Sequence, residues 1–254
     1  MTGVQTCALP ILMQISCGCC EQPKPYIYCD YFRTAIATQY APPKDALETI
    51  SGSAITQVLP SSVADLADCN IYCLACFGRA NGPPGSGQIM TLTSGQRTVI
   101  ADWVNAGGKL LACLDYKDLY NSGGSLISKG VDSTFFTELA TLISDAGGTL
   151  TFGAEDAVAG NPDPWPTSTF LSDSWTSGIT GAVEYDRGFG SSITNGTQLF
   201  APVTKNTIVK QQCGSGWVVV HGSQNSLWGN KDVSQGTPTG YTAMTQFLNF
   251  YFNL

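Results

Sequence analysis

The chain has 254 residues, enough to bury a substantial core, and only 12% of them are charged, about half the ~25% usual in soluble domains. Its net charge of −7 argues against a phosphate-backbone partner, and no apolar run reaches the ~18–20 residues needed to cross a bilayer. The expected partner is a small molecule or another protein, with no nucleic acid and no membrane.

Residues 1–11 (Met1-Thr-Gly-Val-Gln-Thr-Cys-Ala-Leu-Pro-Ile11) resemble the translation of a sequencing-adapter oligonucleotide. They lack the basic start and long apolar stretch of a secretory signal and are set aside from fold reasoning. Residues 1–23 read as a leader without periodicity, and 24–254 as one domain. Residues 25–30 form a short apolar run ending in Asp30, a first strand. A proline-led helix follows over 42–50, then a strand over 54–59 and a serine-capped helix over 61–67. Residues 70–77 are almost wholly apolar, as strands covered on both faces are. The stretch 94–105 carries an apolar stripe of Val99, Ile100, Trp103 and Val104 and stops at Gly107-Gly108, a helix with its terminator. Residues 109–114 are the fourth strand. A second amphipathic helix over 131–145 turns Phe135, Phe136, Leu139, Leu142 and Ile143 inward.

Strands alternating with helices predict a parallel sheet covered on both sides. After Thr149 the pattern changes. Residues 153–180 are rich in turns, and three strands follow over 198–200, 207–212 and 217–221, the last two joined by the tight turn Cys213-Gly-Ser-Gly216. An aromatic-rich helix over 241–252 closes the chain.

Of the ten cysteines, Cys17, Cys19 and Cys20 crowd the leader, with no second Cys/His cluster to complete four ligands. Cys73 and Cys76 have Cys-x-x-Cys spacing, but in one strand residues three apart face opposite ways and do not chelate together. Together with Cys29, Cys69, Cys113 and Cys213 they read as reduced thiols in or beside core strands, which predicts a reducing, cytoplasmic compartment. No metal and no cofactor is expected. The segment Gly78-Arg-Ala-Asn-Gly-Pro-Pro-Gly-Ser-Gly87 is not a phosphate cradle, since it lacks the Lys-Ser/Thr ending and its prolines remove backbone donors.

Three phrases in this order of elements carry a family likeness: Trp103-Val-Asn-Ala-Gly-Gly-Lys-Leu-Leu-Ala112, Thr176-Ser-Gly-Ile-Thr-Gly-Ala-Val183 and Gly214-Ser-Gly-Trp-Val-Val-Val-His-Gly222. On them the chain resembles the class I glutamine amidotransferase-like superfamily, nearest its non-canonical, ThuA-like branch. The resemblance implies a three-layer α/β/α sandwich around a mostly parallel flavodoxin-like sheet, with β-rich C-terminal additions. It also implies roles for two residues. Cys113 stands where catalytic members carry their nucleophile, and His221, the single histidine, stands where they carry the base.

The flanks depart from the family's pattern. Leu111 and Asp115 occupy positions where a nucleophile elbow takes small residues, Asp115 sets a negative charge beside the thiol, and Ser223 replaces the Glu that follows the histidine. The expected function is therefore non-catalytic, a binding or scaffolding domain. One alternative is a Cys113/His221 hydrolase or amidotransferase that opens an amide through a thioester. Another is a carbohydrate-binding module using Trp165, Trp175, Tyr185 and Phe189.

Doubly wound sheets bind ligands beyond the carboxyl ends of their strands. That rule selects Asp30, Tyr31 and Arg33 after the first strand, Gly78 and Arg79 after the third, and Asp115 and Tyr116 after the fourth. Asp118 and Asp132 belong to the same rim.

Overall fold

The computed structural model describes residues 26–30, 45, 47–76, 80–81, 88–89, 92–114, 116–120, 126–131, 133–155, 167–184, 191–200, 208–222 and 241–252. Seven strands form the main sheet: β1 (Tyr26–Cys29), β2 (Thr56–Gln57), β3 (Cys69–Leu74), β4 (Lys109–Cys113), β5 (Thr197–Phe200), β6 (Ile208–Cys213) and β7 (Gly216–His221). Their spatial order is β5-β6-β7-β4-β3-β1-β2. Strands β2, β1, β3, β4 and β7 run parallel, while β6 and β5 pair antiparallel at the far side. The parallel part follows the flavodoxin-like order, with the topological switch between β1 and β3. The α/β class with additional C-terminal strands, expected from the element pattern, is the class observed.

Alternation along the strands divides the core in two. On one face Ile27, Cys29, Ile71, Cys73, Leu111, Cys113 and Val219 pack under Leu47 and under Phe247, Leu248 and Tyr251 of α3 (Tyr241–Phe252). On the other face Tyr72, Leu74, Leu110, Ala112, Val218 and Val220 meet α1 (Ser94–Asn105) and α2 (Ser133–Asp145) through Ile100, Trp103, Val104, Phe135 and Leu139. Covered on both sides, β3 is apolar at all but one position, and that position, Asn70, is exposed. Helix α1 starts at a capping box, Thr93 accepting from the Gln96 N–H and the Gln96 side chain accepting from the Thr93 N–H. Its C-terminal turn closes at Gly107, in the left-handed region at φ 124°.

Two of the phrases with the family likeness are mated in space. The end of α1 and the β6–β7 turn lock together: Ser215 N–H donates to Asn105 O (2.9 Å) and Trp217 N–H to Gly108 O (3.1 Å). A Cβ on Gly216 would stand 2.0 Å from Val104 O and 2.3 Å from Gly108 O, so only glycine admits this approach. The interlock starts β4 and β7 in register, Lys109 opposite Trp217 and Cys113 opposite His221.

Three details depart from the sequence reading. The strand expected over 70–77 ends at Leu74, because Ala75 takes a left-handed backbone (φ 58°) and breaks the alternation. The helix expected over 61–67 is a single 3-10 turn, Val63–Leu66, held by Asp65, which accepts from the Ser61 and Ser62 N–H groups at 2.7 and 2.9 Å. Strands Tyr116–Tyr120 and Leu126–Val131 form an antiparallel hairpin in a stretch given no structure from sequence, and the helix expected over 131–145 begins at Ser133. That hairpin has little alternation, and its polar and glycine content hid it.

Candidate functional site

The carboxyl ends of β1, β3, β4 and β7 lie side by side, and of the residues nominated from sequence Asp30, Cys113 and His221 are described there. Asp30, directly after β1, is 2% exposed. Its Oδ1 accepts the Ala75 N–H at 2.9 Å, and its own N–H donates to Cys73 O at 3.2 Å. Asp30 thus braces the strained turn at the end of β3 across the switch point. A buried carboxylate meeting a backbone donor is well satisfied, so its visible work is structural. Tyr31, Arg33, Gly78, Arg79, Asp115, Asp132 and Ser223 lie outside the described residues. Tyr116 and Asp118 sit in the hairpin strand Tyr116–Tyr120, which begins just beyond β4.

Behind Asp30 runs a row of buried thiols. Cys29 and Cys73 are register partners on β1 and β3. Ala75 turns the chain so that Cys76 comes back over the same face as Cys73, and the two side chains hydrogen-bond. The opposite-face geometry expected for this Cys-x-x-Cys pair does not occur, because the strand has already ended. Cys76 Sγ also donates to Leu111 O (3.3 Å) and meets Cys113 Sγ at 3.2 Å. Burial pushes the Cys29, Cys73 and Cys76 thiols up, so each stays protonated at neutral pH. Among the described residues no group of three or more His, Cys, Asp and Glu side chains could hold a metal ion.

Cys113 and His221 are brought together as a register pair on adjacent parallel strands, with side chains on one face. They are not hydrogen-bonded. Cys113 is the last residue of an extended strand, fully buried, and its sulfur donates to Cys76. Both ring nitrogens of His221 are buried without a hydrogen-bond partner, and the ring packs beside Phe247 with centroids 6.3 Å apart. Burial lowers the imidazole pKa to about 3, so His221 is neutral at physiological pH.

Trp175, one of the aromatics considered for sugar stacking, is 5% exposed. Its ring lies against Trp217 (4.6 Å), Tyr251 (5.6 Å) and the Lys210 ammonium (4.3 Å), which leaves no open face for a sugar. Lys210 also pairs with Asp173 at 2.5 Å, and that contact lowers the Asp173 pKa against the opposing effect of burial. This cluster pins the 171–180 segment to β6 and β7; Trp165, Tyr185 and Phe189 lie outside the described residues. Two substitutions separate its parts. Asp173→Ala strands a buried ammonium and is expected to cost about 1–2 kcal/mol, below the ~3–5 for a fully buried pair because the Trp175 ring and some solvent remain. The double variant Asp173→Ala/Lys210→Met removes both charges and keeps the lysine stem, and is expected to be close to neutral in urea denaturation.

No protein-family model matches the chain, and no curated protein matches it in sequence. Among solved structures it is similar to the mmIFT52 N-terminal domain, with a TM-score of 0.57 and 12% identity over 90% of this chain and 97% of that one. An exo-β-1,4-mannosidase from an Opitutaceae bacterium aligns with a TM-score of 0.47 and 13% identity, over 91% of this chain and 36% of that one. A ThuA-like protein from Bacteroides uniformis aligns with a TM-score of 0.40 and 9% identity, over 91% of each chain. No helix among the described residues is long and apolar enough to cross a membrane. At 12% identity the likeness to the mmIFT52 domain establishes a shared fold, and it says nothing of the chemistry at the carboxyl edge.

Proposed function

We propose that the chain is a non-catalytic binding or scaffolding domain of amidotransferase-like architecture, whose small-molecule or protein partner engages the carboxyl edge of the parallel strands. The observation that carries this reading is the state of the Cys113/His221 pair. A cysteine nucleophile works as a thiolate beside a base that holds its proton. Here the Cys113 sulfur is fully buried in a strand and bonded to a second thiol, and the imidazole is a weak base with a pKa of about 3. The same histidine supports a binding role, since its ring nitrogens are an unmet donor and acceptor at the end of β7, which a bound polar group would satisfy. Placement at the edge where doubly wound folds take their ligands supports it further.

The test is thiol labelling of the native protein with an iodoacetamide-type electrophile, followed residue by residue by mass spectrometry, in wild type and in His221→Leu. The expected result is equally slow modification of Cys113 in both, at the pace of local opening. Modification of Cys113 that is about tenfold faster in wild type than in the variant would overturn the reading and restore the amide-hydrolase alternative.

A further inference from the structure

We propose that Cys76 and Cys113 are a reversible redox pair, oxidised by hydrogen peroxide to a disulfide that staples the end of β3 to the end of β4. The inference is independent of the partner-binding role.

Four observations bring the two residues together. The sulfurs lie 3.2 Å apart in direct thiol–thiol contact. The strands that carry them are neighbours, and their pairing ends with Leu74 opposite Ala112, so Cys113 follows directly on β4 and Cys76 lies two residues past the end of β3. Ala75, non-glycine and at φ 58°, then folds Cys76 back over the sheet rather than onward past its edge. Asp30 holds that turn through the Ala75 N–H, so the approach of Cys76 to Cys113 is built into the fold. Neighbouring strand ends of this kind suit a bridge, which needs Cα atoms within about 4.4–6.8 Å. Cys73 hydrogen-bonds Cys76 and stands opposite Leu111, two residues before Cys113 on β4, so it is the competing partner that the experiment below tells apart.

The chemistry balances with the peroxide as the sole oxidant. One thiol of the pair attacks a peroxide oxygen as its thiolate, the O–O bond breaks, and a sulfenic acid and one water result. The second sulfur then attacks the sulfenic sulfur, the S–S bond forms, and the sulfenic oxygen leaves with both protons as a second water. Two thiols have lost two electrons and the peroxide has gained them. Burial keeps Cys76 protonated at neutral pH, so the reaction is slow there and quickens as pH rises. The bridge closes a segment 37 residues long in sequence separation, which restricts the unfolded chain and makes the oxidised form the more heat-stable.

The full chain, reduced and then treated with equimolar hydrogen peroxide, is alkylated under denaturing conditions and digested with trypsin. The expected product joins peptide 110–117, which holds Cys113, to peptide 45–79, with fragment ions placing the link at Cys76 rather than at Cys69 or Cys73. The Tm should rise by about 5 °C or more and return on adding dithiothreitol. The link should vanish in Cys76→Ala and persist in Cys73→Ala. Fragment assignment in the wild-type chain decides the point even if a variant fails to fold. Absence of the cross-linked peptide after full oxidation, or a link from Cys113 to Cys73 or Cys69, would overturn the proposal.

Discussion

Replacing Gly216 by alanine is expected to destabilise the protein by about 3 kcal/mol or more, at the upper end of what overpacking a well-packed site costs. The added methyl would lie 2.0 Å from Val104 O and 2.3 Å from Gly108 O. Neither obstacle is a flexible side chain. Both are backbone carbonyls, one in the last turn of α1 and one accepting the Trp217 N–H at 3.1 Å. Relief therefore requires α1 and β7 to separate, and that movement breaks the pairing that starts Lys109 opposite Trp217. Gly95→Ala is the control. It lies in the first turn of the same helix with nothing within 4 Å of the new Cβ, and it is expected to stabilise by about 0.5 kcal/mol. Urea denaturation of the two variants checks the pair. Similar midpoints would show that α1 and the β6–β7 turn are not locked as described.

The same interlock explains why the fold was legible in the sequence while the chemistry was not. The phrases around Gly108 and Gly216 look like a signature because only glycine lets one backbone approach another there. They report how α1, β4 and β7 fit together, and they would be needed whether or not the strands end on reacting groups. Helix α1 was readable over its full length because its apolar stripe and Gly-Gly stop agree, and the structure adds a capping box at Thr93 and Gln96. Helix α3 was readable too, from its density of aromatic residues. What escaped was decided by a single backbone angle. Nothing in Leu74-Ala-Cys76 announces a left-handed alanine, so the strand reads on past Leu74 and Cys76 reads as facing away from Cys73. The Asp30 brace that stabilises the angle is a contact over 45 residues, beyond the reach of local pattern. Asp30 itself was found because it follows a strand, but its bond to the Ala75 N–H makes it a support of the edge.

Lowering the pH from 7 to 5 is expected to cost about 2 kcal/mol of stability through His221 alone, with a larger loss below. The sign follows from which state binds the proton. Unfolded, the imidazole titrates at its ordinary 6.5; in the folded protein burial lowers it to about 3. Between those values the unfolded chain carries a proton that the native state excludes, so stability is full above about pH 7 and falls as pH drops through 6.5 toward 3. At pH 5 the deficit is about 1.5 pH units at about 1.36 kcal/mol each, and it is insensitive to the native value so long as that lies below about 4. Two circumstances make the measurement clean. His221 is the only histidine in the chain, and unperturbed carboxylates do not begin to protonate until about pH 5. His221→Leu should flatten the Tm between pH 7 and 5, where wild type loses about 5 °C. It should also be no less stable than wild type at pH 7, because the two ring nitrogens it removes are buried without partners. Equal slopes in the two proteins would mean that the ring is protonated or solvated in the native state. The unmet donor and acceptor at the end of β7 would then disappear as support for a ligand at that edge.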